Sequence, residues 1–172
     1  EQPLQVLYGA TPDQLLVLER DADQDTRLSL FDRSSQPWRR LASLEGVSQA
    51  RFDRSSGRVV FTRLAASGLW SIDPALDQAS VQQLNQDRPS RWRYRTWAVA
   101  GPGGIDYLGT SNACATTLVR MRDGQEDPER CLDAQRLSAG NGLSASADGN
   151  DLYLALAVSD GADIGVMRLP RQ

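Results

Sequence analysis

The stretch Ser146-Ala147-Asp148-Gly149-Asn150-Asp151-Leu152-Tyr153-Leu154-Ala155-Leu156-Ala157-Val158 decides the architecture. Asp, Gly and Asn supply the preset or positive φ of a tight turn. After the turn, Leu152, Leu154, Leu156 and Val158 alternate with period two, the pattern of a half-buried strand and not of a helix. The same order recurs upstream. Thr11-Pro12-Asp13-Gln14 leads into Leu15-Leu16-Val17-Leu18, Asp53-Arg54-Ser55-Ser56-Gly57 into Val59-Val60-Phe61, and Gly101-Pro102-Gly103-Gly104 into Ile105-Asp106-Tyr107-Leu108. Measured at Asp13, Ser55, Gly103 and Asp148, the turns are 42, 48 and 45 residues apart.

Each turn is preceded by one short strand, around Leu4 to Tyr8, Gln49 to Phe52, Thr96 to Val99 and Gly142 to Ala145. Each apolar run is followed by a second strand, at Arg27 to Asp32, Leu69 to Asp73, Thr117 to Arg122 and Ile164 to Leu169. Further strands are expected around Arg39 to Leu44, Val81 to Leu84 and Glu129 to Asp133. Four short antiparallel strands repeating every 40 to 48 residues make an all-β chain and specify a β-propeller, one sheet per blade. The expected blades are residues 1–45, 46–93, 94–139 and 140–172 of a single segment, 1–172, of a larger ring. The last blade stops after its third strand. Its edge, Ile164 to Leu169, is expected to be covered either by residues near the N-terminus, such as Leu4 to Tyr8, or by a second copy of the chain in a homodimer.

Composition narrows the function. With 19 basic and 22 acidic residues the chain carries a net charge of -3, which argues against a surface built for nucleic acid. The absence of histidine removes the commonest general base and a common zinc ligand, and no Gly-X-Ser-X-Gly elbow is present, so the chain reads as non-enzymatic, with no cofactor and no metal. Its longest apolar run, Leu152 to Val158, is far short of the roughly 20 residues a membrane-spanning helix needs. The start, Glu1-Gln2-Pro3-Leu4-Gln5, has no basic or apolar leader character, so the chain reads as a mature or excised segment. Every basic residue is Arg.

The recurring unit of strand, Ser/Thr-Pro-Asp-Gly turn, apolar strand, Leu69-Trp70-Ser71-Ile72-Asp73 strand and Gln82-Gln83-Leu84 strand resembles the repeat of TolB-like and other WD-repeat-like bacterial propellers. Thr11-Pro12-Asp13 and Ser146-Ala147-Asp148-Gly149 approach the family turn, and Gly101 to Gly104 departs from it. Leu69 to Asp73, the segment Arg91 to Trp97 and the late cysteine pair also resemble the periplasmic C-terminal sensor region of CadC-like winged-helix regulators. The resemblance implies a sensor or protein-interaction domain in the periplasm of a membrane-anchored bacterial transcriptional regulator, with a protein partner or a small periplasmic ligand. The competing reading is a TolB-like periplasmic scaffold. A propeller hydrolase is the third.

Three groups of residues are candidates for chemistry. Cys114 and Cys131, 17 residues apart, read as a disulfide, with two unpaired structural thiols as the alternative and a redox function as the least favoured reading, because the Cys-X-X-Cys spacing of thiol oxidoreductases is absent. A bond would place the domain in an oxidising compartment. Arg91, Trp92, Arg93, Tyr94, Arg95 and Trp97 interleave cations and aromatics, as a surface for an anionic or aromatic ligand or a partner segment does, or as an inter-blade connection with packed rings does. Asp13, Asp53, Asp73 and Asp148 sit at repeat turns, where a carboxylate bonds nearby backbone N–H groups. Asp21, Asp23 and Asp25 read as a solvated hairpin tip, because the Gly and Glu of a calcium loop are missing.

Overall fold

A computed structural model of the chain describes residues 2–91, 96–101, 103–111, 113–132, 143–146, 148–158 and 161–168, the segments beyond residue 154 through their backbone. The described residues form sixteen β-strands in four antiparallel sheets, and one short 3-10 turn at Gln78–Ser80. Strands run in sequence order across the sheets, each pairing antiparallel with its chain neighbour, except that the strand Arg130–Cys131 pairs with Cys114–Arg122. This is how a propeller blade is built, and the fold is all-β and propeller-like. The chain divides into two compact units, Glu1–Asp87 and Arg88–Gln172.

In the first unit, β1 (Gln2–Tyr8), β2 (Gln14–Arg20), β3 (Thr26–Asp32) and β4 (Arg39–Glu45) form one sheet. A second contains β5 (Val47–Asp53), β6 (Arg58–Arg63), β7 (Leu69–Ile72) and β8 (Gln82–Asn85). Register and period two together choose the core. Leu16 faces Leu7 and Leu30, and Leu18 faces Leu28, which lies opposite Leu44. These residues pack against Ala50, Val59, Phe61, Trp70 and Ile72 of the second sheet. The Phe61 and Trp70 rings stack with centroids 6.2 Å apart, and Arg63 lies over both at 5.4 Å. Burial on this scale is the main stabilising contribution, at about 25 cal/mol per Å² of apolar surface.

In the second unit, β9 (Trp97–Val99), β10 (Gly104–Ser111) and β11 (Cys114–Arg122) form a sheet whose outer edge is made by β12 (Gln125–Glu126) and β13 (Arg130–Cys131). The repeat predicts a single outer strand at Glu129 to Asp133. The outer edge is instead two short strands separated by Asp127-Pro128-Glu129, because Pro128 has no N–H to donate and interrupts the ladder. The last sheet has three strands, β14 (Leu143–Ala145), β15 (Asp151–Val158) and β16 (Gly161–Arg168). Ala98, Leu108 and Leu118 pack with Leu143, Leu152 and Leu154 between these two sheets.

Leu4 to Tyr8 belong to β1, which pairs with β2 as the first strand of its own sheet.

Candidate functional site

The carboxylates of Asp53, Asp73 and Asp148 bond groups within their own turns, whereas Asp13 acts through its backbone. Asp53 accepts hydrogen bonds from the Ser55 N–H (2.9 Å), the Ser55 hydroxyl (2.7 Å) and the Ser56 hydroxyl (2.6 Å). Asp73 accepts from the Asp77 N–H at 2.9 Å. Asp13 contributes its carbonyl, which accepts from the Arg33 N–H at 2.9 Å. At the hairpin tip one Asp21 oxygen accepts from the N–H groups of Asp23 and Asp25, each at 3.0 Å. Among the described residues no group of three or more His, Cys, Asp or Glu side chains is placed to hold a metal ion.

Asp148 is the most strongly held of these acids. The Ser146 hydroxyl donates to it at 2.6 Å, and Asn150 donates through its side-chain amide at 2.7 Å and its backbone N–H at 3.2 Å. These donors favour the charged form and hold its pKa down at about 2, against 3.8 for an ordinary Asp. A depressed folded pKa means that the turn's contribution to stability is complete above pH 3.8 and is lost as pH falls through about 2. The carboxyl carbon resonance of Asp148 should therefore titrate with a midpoint near 2, and Ser146→Ala should raise that midpoint. A midpoint near 3.8 in the unsubstituted protein would show that the turn network does not form.

Two Arg–carboxylate clusters organise the sheet faces. Glu19 is buried. Desolvation by itself pushes its carboxyl up, but the Ser29 hydroxyl at 2.5 Å, Arg27 at 3.1 Å and Arg40 at 2.9 Å outweigh that and leave the pKa below its ordinary value. Asp106 is fully buried and takes two hydrogen bonds from Arg120, at 2.6 and 2.7 Å. That fork raises the Arg120 pKa, and the same guanidinium donates to the Gly149 carbonyl at 3.2 Å. Arg120 thus ties the third sheet to the turn that starts β15. That turn and the Gly101 turn press together: a Cβ on Gly149, whose φ is +72°, would lie 2.9 Å from the Ala100 carbonyl.

The Arg-aromatic segment is divided by the structure. Trp92, Arg93, Tyr94 and Arg95 lie outside the described residues. Arg91 is exposed. Trp97 corrects the surface reading: it is fully buried on β9, opposite the equally buried Tyr107 of β10, and serves as an anchor. Burial of its ring removes more apolar area from water than any exposed placement would. At the other end of the segment Arg88 forms an ion pair with Glu129. The segment therefore leaves an ion-paired residue and returns to a buried ring.

Cys114 and Cys131 are bonded, with Cα atoms 5.7 Å apart, which decides between the two alternatives left by spacing. β13 brings Cys131 opposite Thr117 on β11, three residues from Cys114.

The feature that sequence reasoning missed is an apolar stripe on β1. Leu4, Val6 and Tyr8 are 41%, 59% and 75% exposed, whereas the corresponding strands β5 and β9 are largely buried. Their period-two spacing was the available signal, but alternation alone does not tell which strands are covered. Trp38, just before β4, and Leu41 within it are also exposed. A small depression bounded by Leu118, Arg120, Asp127, Pro128 and Arg130 has room for about one water.

No protein-family model and no curated protein sequence matches the chain. Solved structures do. Acylaminoacyl peptidase of Pyrococcus horikoshii aligns with 100% of this chain and 39% of its own, at 8% identity and TM-score 0.54. An uncharacterised protein of Listeria monocytogenes EGD-e aligns with 97% of this chain and 54% of its own, at 12% identity and TM-score 0.55. The β-propeller domain of the trilobed protease of Pyrococcus furiosus gives a TM-score of 0.45 at 6% identity, over 93% of this chain and 66% of that one. The chain thus spans about two fifths and about half of the first two proteins. At these identities the first two likenesses establish an all-β fold of this kind and carry no activity with them.

Proposed function

We propose that the chain is a non-catalytic propeller domain that binds a protein partner or a small ligand in the periplasm, as the sensor part of a membrane-anchored bacterial transcriptional regulator. The observation that carries the interaction role is the architecture itself, rigid antiparallel sheets joined by exposed loops. Such a scaffold holds its loops in place, and recognition concentrates on loops that a rigid framework positions. The disulfide supports an oxidising compartment. The lack of histidine supports a binding role over hydrolysis.

The test uses the intact protein in its source organism. Under this reading, protease added to spheroplasts degrades the domain, and the double variant Arg91→Ala/Trp92→Ala accumulates normally yet reproduces the transcript changes of a gene deletion. A freely soluble periplasmic protein whose deletion leaves transcripts unchanged would replace this reading with the TolB-like scaffold. A cytoplasmic location would reject both.

A further inference from the structure

The outer edge of the third sheet is held by very little. β12 and β13 are two residues each, and they meet β11 only at Arg122↔Gln125, Met121↔Glu126, Leu118↔Arg130 and Thr117↔Cys131. By contrast, β4, the outer strand of the first sheet, is seven residues long. Of the residues from 122 to 132, all are exposed except Asp127 and Leu132, which are half-buried. Little apolar burial therefore opposes release of this segment. Among the described residues its other ties include backbone bonds from the N–H groups of Asp127 and Leu132 to the carbonyls of Arg120 (2.8 Å) and Thr116 (3.0 Å), packing of the half-buried Leu132 against the core, the Arg88–Glu129 ion pair, and the disulfide.

We propose that the Cys114–Cys131 disulfide is a thiol-reducible clasp that keeps residues 125–132 on the edge of β11, and that its reduction frees this segment while the rest of the sheet stays folded. The two ends of the bond are unequal. Cys131 is exposed and open to attack, while Cys114 is buried at the start of β11. A thiolate of an external dithiol attacks the Cys131 sulfur, the S–S bond breaks, and Cys114 departs as a thiolate that takes up a proton. The second thiol of the reductant then displaces Cys131, giving two protein thiols and one oxidised cyclic dithiol. The reduced state has a partner ready. The Cys114 sulfur lies 2.9 Å from the Thr116 carbonyl oxygen, the same oxygen that accepts from the Leu132 N–H when the clasp is closed. The new S–H can donate to that carbonyl, so loss of β13 does not leave it unpaired.

Hydrogen exchange on the intact protein tests the clasp in the oxidised form, after dithiothreitol, and in the Cys114→Ser/Cys131→Ser variant. The expected result in both open forms is exchange about a hundredfold faster at Asp127 and Leu132, as loss of a loop closed over 17 residues implies. Amides of Ile105 to Leu108 on β10 should stay within about twofold of the oxidised protein. Unchanged exchange at Asp127 and Leu132 would overturn the proposal, because the short strands would then hold without the bond. Loss of protection through β10 would overturn it as well, because the bond would then support the whole sheet.

Discussion

Asp106→Ala should destabilise the protein by about 3–5 kcal/mol, as expected when one partner is removed from a buried ion pair. Asp106 has no exposed surface and receives both arms of the Arg120 guanidinium, at 2.6 and 2.7 Å. With the carboxylate gone, the charge of Arg120 loses its paired anion and keeps the 3.2 Å bond to the Gly149 carbonyl, a neutral acceptor, and it cannot shed a proton to escape. The loss would be felt in the contact of β10 and β11 with the turn before β15. Urea unfolding followed by tryptophan fluorescence measures it. The double change Asp106→Leu/Arg120→Met should recover most of the loss, because apolar groups of similar size need no partner. A cost below about 1 kcal/mol for Asp106→Ala would mean that the pair is solvated in the folded protein.

Gly68→Ala carries the second large effect. Gly68 has φ of +113°, and a Cβ there would lie 2.2 Å from the Asn85 carbonyl oxygen and 3.0 Å from that of Gln86. Those atoms are backbone at the end of β8, which pairs with β7 beginning at the next residue, Leu69. Relief therefore requires β8 to move away, and we expect a loss of about 3 kcal/mol or more, from backbone strain together with broken ladder bonds. Gly57→Ala isolates the backbone contribution. Gly57 also has positive φ, +67°, but nothing lies within 4 Å of the place its new methyl group would take, so the cost there should be about 1 kcal/mol. Equal losses at the two positions would show that β7 and β8 approach each other less closely at Gly68.

Local chemistry wrote much of the fold. The turn residues around Asp13, Asp53, Gly103 and Asp148 announce where strands begin because their φ preferences and side-chain bonds act within three residues. The continuous apolar runs after them mark strands buried on both faces: Leu15 to Leu18 of β2 and Val59 to Phe61 of β6 are all buried. The candidate site was less legible. Trp97 and Trp92 look alike in an Arg-rich stretch, and only the pairing of β9 with β10 put Trp97 inside, opposite Tyr107.

An all-β chain of repeated antiparallel sheets, its turns, and the residue types available for chemistry were all readable from the order of amino acids, because each follows from forces that act over a few residues. Long-range packing settled which equivalent positions became different. Val6 of β1 and Ala50 of β5 hold comparable places in their sheets, yet Val6 is exposed and Ala50 fully buried. Cys131 met Cys114 because β13 settled on β11 in one register. In each case the deciding quantity was the apolar area or ladder bonding supplied by residues distant in the chain, which no local pattern encodes.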